Sequence, residues 1–263
     1  MAELSIVPRR PALLMHTKLE GQNQSILVVS DLHIGFAHWF QSENVSIDWY
    51  QIAEETEKEL EKIVTSCKAN SIVLLGDIKN NVSGINKGDW KVVPKFLQSL
   101  SQICKVYFVP GNHDSKIRLL IPDSISTIGV TGMTIDDTLL IHGHTMPSSL
   151  TSNVKKVILG HVHPVFFKSD SVMNGQKVWV FLRIRTDVIF PSKKGSIDVI
   201  IMPSYNRFIV NQSKVSRRGQ ISPLVDRILK KKAVEKCLIL SMDGAILGNE
   251  ELLETLFRNN KLS

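Results

Sequence analysis

Long apolar runs are missing from this 263-residue chain: no uninterrupted stretch approaches the ~20 residues that span a bilayer, so no membrane-spanning helix is expected. Its start, MAELSIVPRRPALL, lacks the basic region followed by an apolar core that marks an export leader. Cysteine is scarce and unpatterned. Cys67, Cys104 and Cys237 supply neither a disulfide framework nor a CxxC metal knuckle, which points to a reducing, cytoplasmic setting. Internal repeats, low-complexity tracts and a convincing linker are lacking too, so one domain over residues 1–263 is expected. An apolar fraction of 43% with 22% charged residues excludes a disordered tail and allows a large core.

Charge is unevenly spread. Residues 1–150 hold 13 basic and 16 acidic side chains, whereas residues 151–263 hold 19 and 9, so the net charge of +7 arises late in the chain. A basic half is compatible with a polyanion but equally with a solvated Lys-rich face. The Gln212–Lys232 stretch, rich in Ser, Lys and Arg, reads as an exposed basic segment.

Short apolar runs alternate with helical patterns in the first two thirds, the signature of βαβ units around a largely parallel sheet. Strands are expected at 25–30, 71–75 and 105–109. Between them, Trp49 to Cys67 and Asp89 to Gln102 carry helical spacing, the second burying Trp90, Val93, Phe96, Leu97 and Leu100. From residue 125 strands follow more closely, at 125–130, 138–141, 156–159, 177–184, 197–202, 207–210 and 238–242, with a last helix around Leu252 to Phe257. A parallel half followed by a strand-rich half predicts two sheets packed face to face with helices outside.

The chemistry-bearing residues sit just after the strands, where a parallel sheet presents its functional loops. They are Asp31-Leu-His33, Gly76-Asp77, Gly111-Asn-His-Asp114, His142-Gly-His144 and Gly160-His-Val-His163, which place six of the eight histidines at strand exits. One histidine alone is usually an ordinary surface or core residue; six together with carboxylates are not. Imidazoles, carboxylates and one carboxamide, without thiolate, suit Mn, Fe, Zn or Ni. The donors outnumber the four or so that one structural zinc needs, so two ions bridged by a carboxylate are expected.

This ordered series resembles the calcineurin-like metallophosphoesterases. The resemblance implies a four-layer α/β/β/α sandwich of two mixed sheets and a phosphoester hydrolase with two divalent ions, Mn first among the candidates. Carried over position by position, Asp31, His33, Asp77 and His163 hold the first ion, and Asp77, Asn112, His142 and His161 the second, with Asp77 as the bridge. His113 donates a proton to the leaving oxygen or stabilises the transition state. Asp114 either fixes the loop by hydrogen bonds or is a turn residue. Asn80 departs from the pattern, since many relatives place an acid or a histidine there to orient the catalytic histidine. His144 stands beside His142 as a weaker alternative ligand, while His16 and His38 match nothing.

Leu27-Val-Val-Ser-Asp-Leu-His-Ile-Gly35, Lys79 and Val199-Ile-Ile-Met-Pro-Ser-Tyr205 are similar to the small SbcD-related and DNA ligase-associated phosphoesterases. That likeness implies a nuclease or phosphodiesterase acting on DNA or RNA, with DNA-repair proteins as partners. Candidate substrate contacts are Lys79, Trp39 in the aromatic group with Phe36 and Phe40, and Arg217 and Arg218 in a basic set with Arg183, Arg185, Lys193, Lys194 and Lys230 to Lys232. Two alternatives remain: the same catalyst acting on a small phosphoester or phosphoprotein, and a non-catalytic scaffold of the kind found in retromer.

Overall fold

In a strand buried on both faces, successive side chains enter different layers, and that alternation organises this molecule. The computed structural model describes residues 1–19, 21–35, 48–147, 150, 153–168, 170–209 and 222–258. The first sheet holds β1 (Glu3–Ile6), β2 (Ala12–Leu19), β3 (Gln22–Ser30), β4 (Ser71–Leu75), β5 (Lys105–Val109) and β6 (Ser126–Thr127), paired in that order. β3 to β6 run parallel, while β1, β2 and β3 pair antiparallel. Helices α1 (Trp49–Ser66) and α2 (Lys87–Ile103) lie in the two long connections. Asp48 caps α1 by accepting from the N–H groups of Tyr50 and Gln51, and Asn86 with Asp89 closes a capping box on α2.

The second sheet comprises β7 (Met133–Ile135), β8 (Thr138–Ile141), β9 (Lys156–Leu159), β10 (Val178–Arg185), β11 (Ser196–Ile201), β12 (Val234–Ser241) and β13 (Ile246–Gly248). Its order is β13-β12-β10-β11-β9-β8-β7, with β8, β9 and β11 parallel and β10 antiparallel to β11. Helices α3 (Thr186–Ile189), α4 (Pro223–Lys230) and α5 (Glu250–Arg258) complete the second half.

Three apolar layers hold the stack. Leu27, Val29, Ile72, Leu74 and Phe108 face Leu60, Val64, Val93, Phe96 and Leu97 of α1 and α2. The neighbours Ile26, Val28, Val73 and Leu75 point the other way, onto Leu140, Ile158, Trp179 and Ile200 of the second sheet. The outer face of that sheet, with Val157, Val180 and Val199, is covered by Leu224, Val225 and Ile228 of α4 and Leu253 and Phe257 of α5. The result is the α/β/β/α sandwich of two mixed sheets. Each fully buried side chain of this size contributes about 1.5–3 kcal/mol.

The N-terminal hairpin β1–β2, on which no expectation was stated, supplies the antiparallel edge that makes the first sheet mixed, as expected. Four expectations need correction. Residues 207–209 form a turn rather than a strand, because Asn206 accepts the N–H groups of Phe208 and Ile209. The 125–130 strand shrinks to β6. Trp90 is 51% exposed, since the buried face of α2 is centred on Asp89, Val93, Phe96 and Leu100 and leaves position 90 at its edge. The described part of the Gln212–Lys232 stretch contains α4, whose apolar side chains are core.

Candidate metal centre

Five strand exits from two facing sheets converge on one place. β3 delivers Asp31 and His33, β4 Asp77, β5 Asn112 and His113, β8 His142, and β9 His161 and His163. Asp77 sits in the middle: its Oδ2 lies 3.3 Å from His142 Nε2, 3.7 Å from His33 Nε2 and 3.9 Å from His113 Nε2. Asp31 Oδ1 lies 3.0 Å from His163 Nε2 and 3.8 Å from His142 Nδ1. Asn112 Oδ1 is 3.3 Å from His142 Nε2. The donors fall into three groups, Asp31–His33–His163, His33–Asp77–His113 and Asp77–His142–His161, within each of which the ligand atoms lie within 4.8 Å of one another. Asp77 and His33 each belong to two of them.

The backbone departs from ordinary geometry to achieve this. Asp31, His33, Asp77, His161 and His163 all have positive φ, between 42° and 65°. Such conformations cost L-residues energy and persist only where the surroundings over-determine them. Asp114 supplies part of that determination. Its buried carboxylate accepts the N–H groups of Asp77 (2.7 Å), Gly111 (2.8 Å), Ile78 (3.0 Å) and Lys79 (3.4 Å), so it clamps the two loops that carry Asp77 and Asn112. Glycine is required where chain meets chain: a Cβ on Gly160 would lie 1.6 Å from Ser30 Oγ and 2.5 Å from Asp31 Oδ2, and one on Gly76 2.4 Å from His142 Nδ1.

Hydrogen bonds also set the imidazole tautomers. His142 Nδ1–H donates to the Leu75 carbonyl at 2.8 Å, which leaves Nε2 facing Asp77 and Asn112. His113 Nδ1–H donates to the Asn80 carbonyl at 2.5 Å, leaving its Nε2 toward the centre. Asp31 Oδ2 accepts from Ser30 Oγ (2.5 Å), and its carboxylate takes the His161 N–H at 3.0 Å. The orienting group at position 80 is therefore the main chain, and the side-chain chemistry of Asn80 is not what holds His113.

Electrostatics favour cation binding. Burial opposes ionisation of Asp31 and Asp77, yet the facing histidines overcome it and hold both carboxyls far below the usual range. Burial pushes His33 down to about 3 and, together with His142, His161 down to about 4, so both present neutral lone pairs near pH 7. His142 goes the other way, because Asp77 and Asp31 outweigh its burial and raise it to about 9. Among the described residues, both ring nitrogens of buried His33 lack a hydrogen-bond partner. An orphaned imidazole beside two ionised carboxylates, in a set of nitrogen and oxygen donors, fits a divalent metal ion.

Other predicted residues fall elsewhere. His144 lies behind His142 and His161, with ring centroids 5.2 and 6.2 Å away, and is in none of the three donor groups. Lys79 is 0% exposed and donates to the Asn81 carbonyl, so it lies inside its loop and not on a substrate-facing surface. Arg183 pairs with Asp198 and Arg185 with the Lys232 carbonyl, toward the end of β10 remote from the centre. β10 runs opposite to β9 and β11, and Arg185 lies five residues beyond the Val180–Ile201 pair, roughly 16 Å along the strand. Phe36, Trp39, Phe40, Arg217 and Arg218 lie outside the described residues. Asn206, whose carboxamide bonds the Leu32 and His33 carbonyls, was missed; a lone Asn in Pro-Ser-Tyr-Asn carries no metal-binding signal.

The family model of the calcineurin-like phosphoesterase superfamily domain matches residues 25–181, which include every donor named above. No curated protein matches the chain. Among solved structures, the nuclease MPE of Pseudomonas putida is 19% identical with a TM-score of 0.48, over 77% of this chain and 94% of that one. The phosphoesterase Yfce of E. coli is 14% identical with a TM-score of 0.41, over 85% and 97%.

Proposed function

Since the chain belongs to the calcineurin-like phosphoesterase superfamily and is a metal-dependent phosphoester hydrolase, we propose that it cleaves phosphodiesters with two divalent ions that share Asp77. The observation that carries this reading is that one carboxylate oxygen, Asp77 Oδ2, lies 3.7 Å from His33 of the first set and 3.3 Å from His142 of the second. Asp31, His33, Asp77 and His163 would hold one ion; Asp77, Asn112, His142 and His161 would hold the other. Mn is the proposed metal, with Fe, Zn and Ni as alternatives, because the donors are imidazole, carboxylate and carboxamide. Bound there, divalent ions supply Lewis acidity to phosphate oxygens and lower the pKa of a water.

The chain's own groups do the rest. The Asn80 carbonyl fixes Nδ1 of His113 as a donor, so Nε2 is the atom that holds or gives a proton at the leaving oxygen. Asp114 and the glycine contacts preset the loops, which removes reorganisation from the reaction. The likeness of residues 27–35 and 199–205 to SbcD-related enzymes supports a nucleic-acid substrate, and free thiols at Cys67, Cys104 and Cys237 fit a cytoplasmic setting. A small phosphodiester is the second reading, favoured by the position of Arg183 and Arg185 away from the centre.

A substrate panel under Mn tests both. Bis-p-nitrophenyl phosphate, p-nitrophenyl phosphate, and single- and double-stranded DNA are compared in the parent, Asp77→Asn and His113→Ala. Diester cleavage that falls in both variants supports the reading, and preference for DNA over the aryl diester selects nucleic acid. Equal hydrolysis by all three proteins overturns it; metal uptake by the parent without turnover on any substrate selects the scaffold.

A further inference from the structure

The loop carrying Asp31 and His33 is held from behind by one short segment. All four main-chain carbonyls of residues 30–33 accept hydrogen bonds from residues 205–206. Tyr205 N–H donates to Ser30 (2.8 Å) and Asn206 N–H to Asp31 (3.2 Å), while the Asn206 carboxamide donates to Leu32 (2.9 Å) and His33 (3.1 Å). That segment is held in turn by Lys177. Its partly buried ammonium donates to the carbonyls of Ser204 (2.7 Å) and Asn206.

Lys177 also reaches the other limb of the same donor group. Its main chain bridges to Val165, two residues past His163, and the adjoining Val178 N–H donates to the Pro164 carbonyl at 3.1 Å. One residue therefore joins the support of the Asp31–His33 loop to the strand-like stretch leading away from His163. These are the three residues of one donor group, and all three have positive φ, a conformation that needs outside support. Burial pushes Lys177 down to about 7, so its bonds to the two carbonyls are charge-assisted while it is protonated and remain N–H donations when it is neutral.

We infer that Lys177 is a positioning residue that presets the Asp31–His33–His163 limb of the metal centre through the carbonyls of Ser204 and Asn206. The inference rests on the two-ion reading above. Among the described residues, Lys177 Nζ bonds main-chain carbonyls and none of the donor atoms, so it acts through the backbone. Loss of a supporting group of this kind weakens metal binding about 10–100-fold.

Mn titration of the chelated protein, followed by the electron paramagnetic resonance signal of free Mn, tests it on the parent, Lys177→Met and Lys177→Arg. Lys156→Met is the control, because it removes another partly buried lysine, one paired with Asp137 at 3.1 Å. The parent takes up two ions. Lys177→Met weakens one of them about 10–100-fold and leaves the other unchanged, Lys177→Arg recovers part of the loss, and Lys156→Met lowers the melting temperature without separating the two affinities. If Lys177→Met does not fold, Asn206→Ala removes the two carboxamide bonds and is expected to show the same one-site loss. Parent-like uptake by Lys177→Met, or an equal weakening of both ions, overturns the inference while the two-ion reading stands. Uptake of fewer than two ions by the parent overturns both.

Discussion

His113 donates its Nδ1 proton to the main-chain carbonyl of Asn80 at 2.5 Å, so the Asn80 side chain is not needed to orient it. Asn80→Ala is expected to keep kcat for an aryl phosphodiester near the parent value. His113→Ala should lower kcat by about 10²–10⁴ with metal content unchanged. A large loss in Asn80→Ala at full metal occupancy would return the orienting role to the carboxamide.

Gly160→Ala should damage metal binding before it damages the fold. The added Cβ would meet Ser30 Oγ at 1.6 Å and Asp31 Oδ2 at 2.5 Å, so either the His161 loop or Asp31 must move. Overpacking at a tight site costs about 1–3 kcal/mol. The expected result is a folded protein by circular dichroism with metal uptake reduced at least about tenfold; parent-like uptake contradicts the stated contact.

In the metal-free protein His142 and Lys177 should pull stability in opposite directions above neutral pH, because burial lowers Lys177 from 10.5 to about 7 and its contribution grows as pH rises through that range. His142 is raised from 6.5 to about 9, so its contribution is fully present below 6.5 and is lost as pH rises through 9. His33 and His161 are lowered to about 3 and about 4, so the unfolded chain binds more protons below 6.5 and stability rises with pH up to that point. Asp114, raised to about 6 by burial and by Asp77, acts against them between 3.8 and 6. The His142 loss alone is on the order of 3 kcal/mol between pH 6.5 and 9, and the Lys177 gain from about 7 upward offsets most of it. Melting temperatures of chelated protein from pH 4 to 9 check this: the parent curve should be nearly flat between 7 and 9 and His142→Gln should make it rise there, whereas a His142→Gln curve as flat as the parent's would refute the assignment.

Neutralising Arg183 and Arg185 together should not affect nucleic-acid binding. Both lie toward the end of β10 that points away from the donors. If two phosphate contacts were lost, the slope of log K against log salt would shrink by about 2. An unchanged slope is expected, and a reduced one would place substrate on the far end of the second sheet.

How much was legible follows from what each residue must satisfy. β4, β5, β8 and β9 could be read to the residue, because strands buried on both faces appear as unbroken apolar runs such as Ser71-Ile-Val-Leu-Leu75. β1 was not, since Glu3-Leu-Ser-Ile6 is four residues long and only half-buried. The donors were legible because Asp, Asn and His cluster after strands; their positive φ was not, because it comes from contacts between loops far apart in sequence, such as Asp114 with Asp77. Lys79 was a candidate through the likeness to SbcD-related enzymes, but its ammonium bonds the chain two residues on. Lys177 and Asn206 carried no signal, since each acts only through carbonyls brought together by the fold.

The most direct measurement is the number of Mn ions bound per chain, counted by elemental analysis after chelation, reloading and gel filtration, in the parent and in Asp77→Asn. Two ions in the parent, with fewer retained and diester hydrolysis lost in Asp77→Asn, is the predicted result. One ion in the parent, or two ions with undiminished hydrolysis in Asp77→Asn, would contradict a centre built around a shared Asp77.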